Sequence, residues 1–254
     1  MSVELLRSPR IERIAGVAHA FTTRRGGVSP DPTASLNLSA RVNDTKACVD
    51  ANRARVLAAI DRPQATLIIP KQVHGDVVVE VTRAASRVIA ADGLWTRDRT
   101  TALAVLVADC VPILISSPNG AAVAVVHAGW RGTSTRIAAR AVERLAAAGF
   151  AAASLVVALG PAIGPCCFVI GEDVFAELAR VYPQAGDALQ RDSSGRLAAD
   201  LWALNRQALV AAGVQEANID LLAECTHCQA DRFFSHRREH GITGRQAGII
   251  APAR

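Results

Sequence analysis

Between residues 66 and 126 the chain passes through five short β-branched runs: Thr66–Ile69, Val77–Val81, Leu103–Val107, Ile113–Ser116 and Ala121–Val126. Side chains of this kind suit a pleated, half-buried surface, so these runs are strand material. Ser117-Pro118-Asn119-Gly120 joins the last two as a hairpin turn, because Asn-Gly tolerates the positive φ that such turns require. Further strands are expected at Val17–Thr23, Leu155–Leu159, Ile219–Leu222 and Gln246–Ile250. Helices are expected over Thr45–Ile60, capped from Asn43-Asp44, and over Thr133–Ala148, Glu172–Val181 and Asp200–Ala212. Strands mixed with helices, including a hairpin, point to a layered α/β (α+β) fold: one mixed sheet flanked by helices rather than a purely parallel one. With no internal repeat and no long linker, residues 1–254 read as one domain.

Half of the residues are apolar and a fifth are charged, which excludes a disordered or solvating chain. Lys and Arg total 28 against 23 Asp and Glu, and the resulting +5 is spread along the sequence. With only ten aromatic residues, neither a basic nucleic-acid footprint nor a base-stacking platform is supported. The longest apolar stretch, Ala151 to Ile170, is interrupted by Gly160-Pro161 and Gly164-Pro165, so no membrane span is expected. Charges at Glu4, Arg7, Arg10, Glu12 and Arg13 leave no room for a signal h-region. Six cysteines are too few for a disulfide scaffold. The expectation is a cytoplasmic protein with reduced thiols, as a monomer or small homo-oligomer.

Three residues stand out by their place beside strands. His74 precedes Val77–Val81, Cys110 follows Leu103–Val107, and His127 follows Ala121–Val126. Two imidazoles and one thiolate suit zinc, with the fourth tetrahedral position open as in a catalytic site. The same atoms also read as a Cys–His hydrolase, with Cys110 as nucleophile, His127 as base and Arg131 making the pocket electropositive. Cys225-Thr226-His227-Cys228 is half of a zinc or redox motif. A second half would need Cys166-Cys167, and adjacent cysteines chelate one ion poorly, so packing is expected for all four. Arg24, in the loop Arg24-Arg25-Gly26-Gly27, is a candidate phosphate or sugar contact. Arg237, Arg238 and Arg245 are candidates for an anionic pocket, and Gly160–Pro165 reads as a rigid turn.

Nine pieces together resemble the YfiH-type laccase-domain family. They are FTTRRGGVS (Phe21–Ser29), SLNLS (Ser35–Ser39), KQVHGDVV (Lys71–Val78), ADGLWT (Ala91–Thr96), ADCVPILI (Ala108–Ile115), VAVVHAGWRGT (Val123–Thr133), LGPAIGPCCF (Leu159–Phe168), CTHC (Cys225–Cys228) and FFSHRRE with TGRQAG (Phe233–Gly248). The resemblance implies a fold like that of deamidating cytotoxins, with zinc on His74, Cys110 and His127. It also implies phosphorolysis of adenosine, guanosine, inosine and 5′-methylthioadenosine, and deamination of adenosine to inosine. Purine nucleosides and phosphate are then the small-molecule partners. Asp109 becomes a candidate proton shuttle or orienter of a ligand histidine, Arg131 a catalytic and substrate contact, and Arg24 and Asn37 substrate contacts. Other family assignments are copper-dependent phenol oxidation and a role in editing cell-wall precursors. Six histidines are few for a multicopper oxidase. The chain departs from the family pattern at Val169, where a Glu is common, and at His236, where a Tyr is common.

Overall fold

The computed structural model describes residues 2–83 and 89–253. Two mixed sheets stack face to face. One holds five strands in the order Leu5–Leu6, Ala18–Thr22, Gln246–Ala251, Thr101–Val107 and Thr66–Ile68. The other holds six, in the order Ile219–Leu221, Val156–Leu159, Val111–Ser116, Val123–Ala128, Gly93–Thr96 and Val78–Glu80. Val169–Ile170, Leu197–Ala199 and Leu189–Arg191 form a separate three-stranded sheet that packs into the core on the helix side of the six-stranded one.

Alternation along the strands sorts the side chains into layers. Leu103 and Val105 of the five-stranded sheet join Phe21, Leu114, Val123 and Val125 in a core between the two sheets. Their neighbours Ala102 and Ala104 point the other way, onto Val56, Leu57 and Ile60 at the end of helix Lys46–Ala59. In the six-stranded sheet Ile113, Ile115, Ala124 and Val126 pack against Ala138, Val142 and Leu204 of helices Ile137–Ala147 and Leu201–Ala211. The result is helix, sheet, sheet, helix. The expected layered α+β fold of mixed sheet and flanking helices is present, with its strands divided between two stacked mixed sheets and the smaller three-stranded one. A strand buried on both faces is apolar throughout, and such a run does not record which face meets a helix and which a second sheet.

Several local expectations shift for identifiable reasons. The helix from Lys46 is capped by Thr45, whose hydroxyl accepts from the Cys48 N–H, while Asp44 accepts from Ser29 and Asn37 instead. The helix expected over Thr133–Ala148 is split into Trp130–Ser134 and Ile137–Ala147 by Arg136 at φ +58°. Gly93–Thr96, read from the sequence only as a motif, is an interior strand of the six-stranded sheet. The Asn119-Gly120 turn forms as expected, with Gly120 at φ +68° and its N–H on the Ser117 carbonyl at 3.0 Å. Among the described residues no helix is long and apolar enough to cross a membrane.

One crossing places the site. Strand Thr101–Val107 belongs to the five-stranded sheet and strand Val111–Ser116 to the six-stranded one, so Ala108-Asp109-Cys110 carries the chain over the rim of the sandwich. Asp109 makes the sharp change of direction at φ +90°.

His19, on strand Ala18–Thr22, is 1% exposed. Burial and the nearby Arg7 guanidinium push its imidazole down from 6.5 to about 4. Its Nε2 accepts the Ser8 N–H at 2.8 Å, a bond that protonation would break. The unfolded chain takes up this proton near 6.5 and the folded chain only near 4, so acid favours unfolding across that window. Urea unfolding is expected to lose about 3 kcal/mol between pH 7 and 4 through this residue, and His19→Gln should flatten that part of the profile.

Candidate metal centre and its cavity

Strand pairing brings the three donors together. Val123–Ala128 runs antiparallel to Val111–Ser116 with His127 opposite Pro112, which sets His127 beside the Cys110 that precedes the strand. On its other edge Val123–Ala128 pairs with Gly93–Thr96, and this strand pairs with Val78–Glu80, just beyond the loop carrying His74. The donor atoms of His74, Cys110 and His127 all lie within 4.8 Å of one another. The two rings meet edge to face, with centroids 4.8 Å apart and planes at 81°.

Asp92 holds this arrangement. Its carboxylate is fully buried and accepts from the N–H groups of Val73, His74 and Gly75 at 3.0, 3.0 and 2.8 Å. It also faces His127 Nδ1 at 2.8 Å, and its own carbonyl accepts the His127 N–H at 2.7 Å. The Nδ1 contact fixes the imidazole tautomer and leaves Nε2 for a metal. The three backbone donors hold the loop at His74, whose φ is +59°, outside the region an unconstrained histidine prefers. Gly129 completes the fit: a Cβ there would stand 2.9 Å from Cys110 Sγ.

Charge follows geometry. Burial by itself would push the Cys110 thiol up, but the facing His127 and His74 rings outweigh it and bring the thiol below its ordinary value. Burial would likewise lower His127, yet Cys110 and Asp92 carry it above its ordinary value. A cation between the rings and the sulfur satisfies the same thiolate. Two nitrogens and one sulfur, with the cavity on the open side, fit a borderline-soft metal ion.

The cavity has a volume of about 750 Å³. Its wall includes the triad, Asp109, Gln72, the apolar side chains of Leu67, Ile69, Leu106 and Phe168, and the arginines Arg41, Arg53, Arg237 and Arg245. Asp109 does not reach a ligand histidine. One of its oxygens accepts from Thr226 Oγ1 at 2.7 Å and the other from the Arg237 N–H at 2.7 Å. The orienting role considered for it belongs to Asp92, which only the ADGLWT piece signalled in the sequence.

The other expected substrate contacts lie elsewhere. Arg24 donates to the carbonyls of Ala34 and Ala230 and to Glu239, all at 3.0 Å, and sits 4.6 Å over the Phe234 ring. It clamps the Arg24–Gly27 loop to the C-terminal segment. Asn37 is fully buried; its amide donates to Ser39 and Asp44, and its side-chain oxygen accepts the Arg245 N–H at 3.0 Å. Asn37 therefore holds the backbone from which Arg245 enters the wall. Arg131 stacks on Trp130 at 4.4 Å and is not part of the wall. Arg238 is taken up by the carbonyls of Thr226, His227 and Phe233. The four cysteines for which packing was expected are gathered, with their sulfurs all within 4.8 Å of one another.

Fold and site together define a two-sheet sandwich with three clustered donors that could hold a metal ion at its rim, beside a cavity lined by arginines. A family model described as multi-copper polyphenol oxidoreductase laccase matches residues 18–253, and the chain belongs to this laccase-like family. A relative from Geobacillus stearothermophilus, named purine nucleoside phosphorylase YlmD, is 38% identical over 93% of this chain and 90% of its own. The Escherichia coli protein named purine nucleoside phosphorylase YfiH is 36% identical over 95% and 96%. The crystal structure of YlmD from Geobacillus stearothermophilus superposes with a TM-score of 0.90 over 98% of this chain and 96% of that one, at 36% identity.

Replacing Asp92 by Asn removes the charge that orients His127 and one or more acceptors for the His74 loop. Metal affinity is expected to fall about 10–100-fold, measured by competition with a coloured chelator, while the fold persists in circular dichroism.

Proposed function

We propose that the chain is a zinc-dependent purine nucleoside phosphorylase that cleaves adenosine, inosine, guanosine and 5′-methylthioadenosine, and that it also deaminates adenosine to inosine. One observation carries this reading: a single cavity combines His74, Cys110 and His127 with an apolar wall and four arginines. A purine asks for an apolar slot with a few polar groups, and phosphate asks for planar cationic donors. The names of the relatives point the same way.

Zinc held by the triad supplies Lewis-acid polarisation of a substrate oxygen or nitrogen. In phosphorolysis the N9–C1′ bond breaks, a phosphate oxygen bonds to C1′, and the departing purine takes a proton. Arg53, Arg237 and Arg245 also donate to the carbonyls of Leu38, Val169 and Thr243 with Gly244, and their remaining N–H groups hold the phosphate and offset its charge, while Leu106 and Phe168 keep water from the base. Arg237, 5.4 Å over the Phe168 ring, ties the cationic and apolar walls together. In deamination a water oxygen adds at C6 and the exocyclic nitrogen leaves as ammonia. Asp109 is the proposed carboxylate for that proton transfer, held in place by Thr226 and Arg237. The cytoplasm, where thiols stay reduced, is the proposed setting.

The Cys110–His127 pairing also favours a second reading, a thiolate nucleophile with a protonated partner. Alkylation would then abolish turnover that chelators leave intact.

Chromatography of purified protein with adenosine separates these readings. Adenine and ribose 1-phosphate should form only with phosphate present, and inosine without it. His127→Ala should lose the zinc of the triad and turnover with it; turnover retained with the triad empty contradicts the proposal. Arg237→Gln and Arg245→Gln should each raise the KM for phosphate about tenfold or more. Arg131→Gln tests the alternative placement, and an equal rise there would return phosphate to the Gly129–Thr133 turn.

A further inference from the structure

Beyond the cavity wall, the remaining clustered thiols occupy one place in the fold. Strands Val156–Leu159 and Ile219–Leu221 are parallel neighbours, so the loops that leave them emerge side by side. Ala162 and Cys225 continue the pairing as an isolated bridge, and the Thr226 N–H reaches the Ala162 carbonyl at 2.9 Å. The first loop then turns tightly, with the Cys167 and Phe168 N–H groups both on the Gly164 carbonyl at 2.9 Å. That turn puts two adjacent cysteines against the CxxC of the second loop. This is the step that spacing alone does not reveal.

The four sulfurs lie close enough together to share one ion. Cys166 Sγ lies 3.7 Å from Cys225 Sγ and 3.7 Å from Cys228 Sγ, and Cys167 Sγ lies 3.4 Å from Cys228 Sγ. All four thiols are free. Four sulfurs bound to zinc at ~2.3 Å stand at the corners of a tetrahedron with edges of roughly 3.8 Å. The surroundings suit such a site as well. The Gly164 N–H points at Cys225 Sγ at 3.3 Å, as backbone donors do toward metal-bound thiolates. Four thiolates and a dication leave net negative charge, and two guanidinium groups lie against it: Arg196 donates to the Cys166 carbonyl at 2.9 Å, and Arg238 to the carbonyls of Thr226 and His227.

We propose that Cys166, Cys167, Cys225 and Cys228 form a second, tetrathiolate zinc site that staples these two loops together. A closed set of four sulfurs leaves no open position, so the site is structural. Its consequence for the cavity runs through two residues inside the staple. Thr226, between the CxxC cysteines, donates to Asp109, and Phe168, beside Cys167, lies under Arg237. The staple therefore fixes the outer wall against which Asp109 and Arg237 are set. None of this depends on which reaction the triad performs.

The experiment counts metal in protein purified anaerobically with reductant, by native mass spectrometry and elemental analysis. Wild type should carry two zinc equivalents. Cys110→Ser with His127→Ala should retain one, and Cys225→Ser with Cys228→Ser should retain one, the triad's own. Cobalt loaded into the triad-deficient variant should show the thiolate charge-transfer bands of a four-sulfur tetrahedron. Saturation of wild type at one equivalent, a triad-deficient variant that binds none, or a cysteine variant that keeps both would each overturn the proposal. If the cysteine variant does not fold, the counts in wild type and in the triad-deficient variant still decide. Because turnover is not measured, failure here leaves the reading of the cavity standing, and failure of that reading leaves this site standing.

Discussion

A carboxylate without water around it must find donors, and at Asp92 four of them converge: three consecutive backbone N–H groups and the His127 ring. This one side chain joins the loop carrying His74 to the strand carrying His127. It holds His74 in a left-handed backbone conformation that would otherwise relax, and it sets the ring nitrogen that His127 offers. Cys110 enters from the opposite side, on the three-residue crossing between the sheets, and Gly129 leaves its sulfur room. The triad is assembled by tertiary structure from three separate stretches, and Asp92 is the fastener they share.

The sandwich explains why the cavity lies where it does. Two sheets with a common core cannot close over the rim where the chain passes from one to the other. Residues from both reach that opening: Leu67, Ile69 and Leu106 from the five-stranded side, Cys110 and His127 from the six-stranded side. Guanidinium groups then enter from Arg53 on the helix and from Arg237 and Arg245 in the C-terminal segment. The wall is thus part apolar, part cationic and part lined by the clustered donors His74, Cys110 and His127, because three parts of the fold with different chemistry meet at one edge.

Much of this was legible in the sequence, and the failures share a physical cause. The helix Glu172–Val181 and the Asn-Gly hairpin follow from local rules of periodicity and turn chemistry, and they form where those rules put them. The triad residues were singled out by their places at strand ends and by their resemblance to a family. Longer-range matters were not legible. Periodicity could not divide one sheet into two, since strands such as Val123–Ala128 are apolar on both faces. A motif does not say which way a guanidinium points: Arg24, a candidate ligand contact by sequence, clamps backbone, and Arg131, another, stacks on its neighbour. Nor could spacing show that two adjacent cysteines are wound by a turn toward a CxxC nearly 60 residues on.

The account rests on a metal ion seated between His74, Cys110 and His127. Anomalous diffraction at the zinc edge, from crystals grown with zinc, addresses that claim directly. A peak bonded to His127 Nε2, Cys110 Sγ and one His74 ring nitrogen, with its remaining position facing the cavity, is the predicted result. A site left empty while zinc occupies other positions, or zinc bound through His127 Nδ1 with Asp92 displaced, would contradict it.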